Sequence, residues 1–216
     1  MDDIISAIHW WCTERPNLKP TVKPLLLFTF DTLHRLHETV KNLPIDYTPQ
    51  KDGFIGKRNY IINFQKNSSS YNIIRLTLAF ISDLYFSLET LMKQGNLMEI
   101  QQDIALMGQK ARCFDDIRNF FTHMDERLFL LDRHGISGTG NVDGVQYKKS
   151  KENFYLRVAE GVVYFSDYGQ LKKTILTTRA FIPIFDDATK LYSKLISHKI
   201  NSQFCNYPLA NTIFCL

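Results

Sequence analysis

Val22-Lys23-Pro24-Leu25-Leu26-Leu27-Phe28-Thr29-Phe30-Asp31-Thr32-Leu33-His34-Arg35-Leu36-His37-Glu38-Thr39-Val40 decides the fold class of this chain. Within it and just beyond, Val22, Leu26, Thr29, Leu33, Leu36, Val40 and Leu43 recur in alternating steps of four and three. That spacing puts them on one stripe of an α-helix, whereas a half-buried strand would repeat every second residue. Pro44 then stops the helix. A stripe of this length on a single side predicts a helix packed in a bundle.

Four other segments follow the same rule. A short one runs from about Asp2 to Glu14, before Pro16. Another begins after Asn67-Ser68-Ser69-Ser70, which offers N-cap residues, and carries Ile74, Leu78, Ile81, Tyr85, Leu88 and Met92 before Gly95. The next, read as one helix from about Leu97 to Leu131, places Met107, Phe114, Ile117, Phe121, Met124 and Leu128 on one stripe. The last spans about Thr178 to Lys199, with Phe181, Phe185, Ala188, Leu191 and Leu195 inward, and its start must leave Pro183 in the first turn. Two stretches depart from this periodicity. Residues 44–66, with Pro44, Pro49, Gly53 and Gly56, read as a long loop with a short extended piece at Tyr60–Phe64. Residues 142–176 are rich in β-branched and aromatic residues, with Ala159-Glu160-Gly161 as a tight reversal. The expected architecture is therefore mainly α, four to five helices in one domain over 1–216, with a β-hairpin or three-stranded insertion at about 142–176.

Hydrophobic residues make up 44% of the 216 and charged residues 22%, which is globular composition and excludes a disordered chain. The formal charge is only +4, with the basic excess in the last third. Met1-Asp2-Asp3-Ile4-Ile5 is acidic where a secretory signal is basic, and runs such as Leu25–Phe28 are too short to span a bilayer, so the expectation is a cytoplasmic protein without membrane contact. Cys12, Cys113, Cys205 and Cys215 show no Cys-x-x-Cys spacing and are expected as free thiols, with Cys205–Cys215 pairing the alternative in an oxidising compartment.

The residues suited to chemistry lie on the fourth helical segment. At about 100° per residue, with Asn119 as zero, Phe114, Ile117, Phe121 and Met124 fall on the opposite side. Arg112, Asp115, Asn119, His123 and Glu126 cluster near zero, and Arg118 flanks them. Such a polar ridge faces water, a partner or a ligand. A guanidinium that is always charged and an imidazole that exchanges protons together suit phosphate chemistry. Arg127 and His134 satisfy the same loose Arg-to-His spacing; of these two pairs, only that of Arg118 has a polar Asn directly after the Arg.

Arg118-Asn119-x-x-x-His123 resembles the Arg, polar residue, short spacer, His motif of the HEPN superfamily, the helical domains of many toxin–antitoxin, phage-defence and RNA-processing ribonucleases. The flanking Asp115-Asp116-Ile117-Arg118-Asn119-Phe120-Phe121-Thr122-His123-Met124-Asp125-Glu126-Arg127 is similar to family sequence in texture. Elsewhere the resemblance is architectural, and the β insertion and the 44–66 loop are not part of the family's common core. The resemblance implies a HEPN-like bundle that forms a symmetric homodimer, with Arg118, Asn119 and His123 of both copies lining one cleft. It implies a metal-independent endoribonuclease without cofactor. His123 would carry a proton at the ribose 2′-hydroxyl and the scissile phosphate. Arg118 would hold the phosphate, and Asn119 would orient the substrate or His123. The product would be a 2′,3′-cyclic phosphate, RNA the substrate, and an antitoxin protein a partner. The competing expectation is a non-catalytic module that binds a nucleotide or RNA through the same ridge. A third is a structural helical protein.

Lys148, Lys149, Lys151 and Tyr155, with Tyr147, Phe154 and Arg157, mix basic and aromatic groups and are the candidate substrate-binding residues. A half-exposed strand pair has the same composition. His34, Arg35, His37 and Glu38 lack the His-Glu-x-x-His order of a zinc helix and read as exposed helix residues. Gly135-Ile136-Ser137-Gly138-Thr139-Gly140 reads as a flexible connector, since no Gly-Lys-Ser/Thr follows it.

Overall fold

The computed structural model describes residues 2–43, 68–124, 136–142, 145–153, 156–159 and 161–200. Among them are α1 (Asp2–Thr13), α2 (Val22–Val40), α3 (Ser68–Gln94), a 3₁₀ turn at Met98–Ile100, α4 (Gln101–Arg112), α5 (Asp115–Thr122) and α6 (Thr178–Ile200). Strands β1 (Ile136–Val142), β2 (Val145–Asn153), β3 (Leu156–Ala159), β4 (Val162–Asp167) and β5 (Gln170–Ile175) lie between α5 and α6. The chain is mainly helical with an antiparallel β part, as the periodicities imply. The expected loop at 44–66, the extended piece at Tyr60–Phe64 and the tail 201–216 lie outside the described residues. No helix among the described residues is long and apolar enough to cross a membrane.

The chain folds as two compact units. The first takes the described residues within Met1–Lys41, Ala79–Cys113 and Phe181–Leu216, the second those within Asn42–Leu78 and Phe114–Ala180. The first unit's core is built from the expected stripes. Leu26, Leu33, Leu36 and Val40 of α2, Ile81 and Leu88 of α3, and Phe181, Phe185, Ala188, Leu191 and Leu195 of α6 are all buried. Two hydroxyls inside this core are satisfied. Thr29 Oγ1 lies 2.8 Å from Leu25 O and 3.1 Å from Ser87 Oγ, its one proton serving either, while Ser87 Oγ donates to Leu84 O. His37 corrects the exposed reading of its helix segment: it is buried, with its ring edge-on to Phe185 at 5.2 Å. His34, Arg35 and Glu38 are exposed.

Helices α4 and α6 run antiparallel and exchange charges. Asp103 meets Lys194 at 2.6 Å, and seven residues further along α4 Lys110 meets Asp187, seven residues back along α6. Asp187 is 1% exposed and also takes Lys190 at 3.0 Å; this hydrogen bond and the Asp187 charge raise the Lys190 ammonium above its ordinary range. A buried carboxylate that loses its charge here loses both lysines. Asp187→Asn is therefore expected to destabilise the protein by about 1–3 kcal/mol in urea titration. Lys190→Met, which removes a mostly exposed partner, is expected to leave the midpoint near that of wild type.

Pro183 sits in the second turn of α6, not in the first turn as expected. Its ring removes one helix hydrogen bond. Flanking Phe181, Ile184 and Phe185, all buried, hold the helix through it, and its carbonyl accepts from Lys110 Nζ at 2.9 Å.

The β part is larger than expected and begins earlier. The connector reading of Gly135–Gly140 is corrected, because Ile136–Val142 is a strand paired antiparallel with β2. A separate sheet has the order β3-β4-β5. Strands β3 and β4 pair antiparallel with Ala159 opposite Val162, and Glu160 of the expected reversal lies outside the described residues. Gly161 has φ +74, and a Cβ there would overlap the Thr177 side chain. Between β4 and β5, Tyr168 (φ 47) and Gly169 (φ 74) form a two-residue turn with both φ positive, the type I′ geometry that matches strand twist.

Candidate functional site

The helical segment read as continuous from Leu97 to Leu131 is interrupted. Helix α4 ends at Arg112, Cys113 N–H bonds back to Lys110 O at 3.2 Å, and Phe114 has φ −97, ψ 5. The following Arg118 N–H donates to Phe114 O at 2.9 Å and starts a new helix. Asp115 and Asp116 then occupy the first turn of α5, where negative charge suits the helix dipole. This acidic pair was the sequence signal for a helix start. Residues 125–135, with Glu126, Leu128 and His134, lie outside the described residues.

On α5 the expected core face is present: Phe114, Ile117, Phe121 and Met124 are buried. Phe120 joins them. Its ring is fully covered, 4.9 Å from Phe165 of β4 and 5.5 Å from Phe121. Asp116, Asn119, Thr122 and His123 are exposed. Arg112, placed on the same ridge by the sequence, belongs to the first unit, where its guanidinium lies 6.0 Å from the Tyr85 ring.

Arg118 and Asn119 are neighbours in the middle of α5, and His123 follows its last residue as the C-cap. Arg118 Nη2 donates to Asn119 Oδ1 at 3.2 Å and lies 3.4 Å from Asp115 Oδ1. The Arg118 side chain is 12% exposed, so its guanidinium is largely covered while Asn119 and His123 face solvent. His123 caps the helix at φ −110, ψ 30, and its N–H donates to Asn119 O at 3.1 Å.

Beneath the first turn of α5, Lys172 of β5 reaches two carboxylates. Its Nζ is 3.2 Å from Asp116 Oδ1 and 3.1 Å from Asp167 Oδ2, and the Asp167 side chain is 5% exposed. Burial pushes the Lys172 ammonium down, but the hydrogen bonds and charges of Asp167 and Asp116 outweigh it and raise it overall. A raised lysine contributes stability that is present below the ordinary lysine range and lost as pH climbs through its folded value. Sequence reasoning missed Lys172 because Gln170–Ile175 was not read as a strand. The available signal was Asp167-Tyr168-Gly169-Gln170, a turn directly after an apolar strand.

Of the candidate substrate-binding residues, Lys148, Lys149 and Lys151 lie on β2, with Lys148 opposite Thr139 and Lys149 opposite Gly138. Tyr155 and Phe154 lie outside the described residues. Among the described residues no group of three or more His, Cys, Asp or Glu could hold a metal ion, and Cys12 and Cys113 are free.

No protein-family model, no curated protein and no solved structure matches this chain.

Proposed function

We propose that this protein is a metal-independent endoribonuclease of the HEPN kind, active as a homodimer in which two α5 ends form one cleft. What supports the reading is the side-chain hydrogen bond from Arg118 to Asn119 one turn before His123, with Asn119 and His123 exposed. In the reaction, His123 takes the proton of a ribose 2′-hydroxyl, and that oxygen attacks the adjacent phosphorus. The bond from phosphorus to the 5′-oxygen breaks. The leaving oxygen is protonated by an imidazolium, the partner subunit's His123. Arg118 neutralises charge on the non-bridging oxygens, for which phosphate takes the place that Asp115 and Asn119 occupy around its guanidinium. The products are a 2′,3′-cyclic phosphate and a 5′-hydroxyl. A role as a toxin with an antitoxin partner, or as a phage-defence effector in the cytoplasm, follows from the same resemblance.

The test is cleavage of RNA by the purified protein in EDTA, with the new ends identified by mass spectrometry. Cyclic-phosphate ends are expected, and an analogue lacking the 2′-hydroxyl at the cut site should stay whole. Cleavage of that analogue, or cleavage only after divalent metal is added, would sink the mechanism. The low exposure of the Arg118 side chain favours a second reading, a module that binds RNA or nucleotide through the same ridge. That reading predicts binding without new ends.

A further inference from the structure

We propose that Lys172 is a positioning residue, a strut from the sheet that fixes the rotation of α5 and so the direction in which Asn119 and His123 project. The inference rests on the proposed ribonuclease site for its functional meaning, but its geometry stands apart from that reading. Helix α5 is only eight residues long, too short to hold its own orientation without tertiary contacts. Two of its contacts with the three-stranded sheet lie one turn apart. One is the ring contact of Phe120 with Phe165; the other is the bridge from Asp116 through Lys172 to Asp167. Phe165 and Lys172 are directly opposite in the β4–β5 register, so both contacts rise from one cross-strand pair.

The two contacts differ in what they fix. A ring pair tolerates sliding and rotation. An ammonium held between two carboxylates is anchored at both ends, and one end here, Asp167, is itself buried in the sheet. With the strut cut, α5 keeps the Phe120 contact and loses the polar hold at Asp116, so its rotation about Phe120 is less restrained. The Asp116 carboxylate is 63% exposed, so its ion pair adds little to global stability. Its effect should appear in position rather than in melting temperature.

Asp116→Asn cuts only the outer leg and leaves the Asp167–Lys172 pair. Lys172→Met removes both legs, and Lys172→Arg restores the charge. In Asp116→Asn, amide exchange over residues 116–123 is expected to speed up about tenfold while that of β3–β5 stays as in wild type. RNA cleavage by the same variant should lose about tenfold in kcat with KM little changed. Lys172→Met should lose more, and Lys172→Arg should recover most of the loss. Exchange over 116–123 unchanged in Asp116→Asn, or acceleration spread evenly over the protein, overturns the strut. If the wild-type protein cuts no RNA, the ribonuclease reading falls alone and the exchange result still decides. If Lys172→Met fails to fold, Asp116→Asn decides.

Discussion

His123→Ala is expected to lower kcat for RNA cleavage by about 10²–10⁴-fold, the usual contribution of a positioned proton carrier. Melting should move little, because His123 is exposed and alanine keeps the backbone N–H that donates to Asn119 O. Arg118→Ala is expected to be as damaging to turnover but to differ in stability. Its side chain is 12% exposed and pairs with Asp115, so truncation leaves a partly covered carboxylate short of a donor, whereas exposed Asn119 can turn to water. Arg118→Lys should not rescue turnover, since an ammonium cannot present the planar fork that bridges two phosphate oxygens. The pair is measured by single-turnover cleavage beside a thermal melt. Loss of cleavage in Arg118→Ala with full activity in His123→Ala would remove the proton-transfer role and leave only the covered ion pair.

The helical part of this fold was legible because α2 and α6 bury a single face, and burial then follows the sequence period. Leu26, Leu33 and Leu36, and Phe181, Phe185 and Leu195, sit where a 3.6-residue repeat puts them. The break between α4 and α5 was not legible in the same way. Phe114 and Ile117 keep the apolar stripe running across it, and neither Gly nor Pro marks the interruption; only Asp115-Asp116 hints at a new start. Strand β5 was hidden for the opposite reason. Its residues are exposed or half-covered, so Gln170–Ile175 carries no apolar alternation strong enough to read. His37 was misread because an imidazole is equally at home in water and against an aromatic edge. At the site, Arg118, Asn119 and His123 were legible as residue types on one short segment. What spacing does not encode is that Arg118 turns under the helix toward Asp115, or that a lysine far along the chain braces Asp116.

Phe120→Ala should produce the largest loss of stability, about 3–5 kcal/mol in the second unit. Its ring is fully covered, and the sheet side of the contact, Phe165, is covered as well, so truncation opens a cavity between a helix and a strand that are both held elsewhere. Collapse into that cavity is opposed by the pairing of β4 with both β3 and β5, which fixes the position of Phe165. Phe165→Ala should cost a similar amount. The double replacement should cost less than the sum, since the second truncation enlarges a cavity already made. The readout matters here. Trp10 and Trp11 both belong to the first unit, so tryptophan fluorescence does not directly report the packing of Phe120 on Phe165. Amide exchange over β3–β5 and α5 does. It should show lost protection in Phe120→Ala even at low denaturant, whereas Asp187→Asn should act on α4 and α6 of the first unit. Protection of β3–β5 unchanged by Phe120→Ala would mean that α5 contributes nothing to holding the sheet, and the sheet could not then serve as the platform on which the motif helix is oriented.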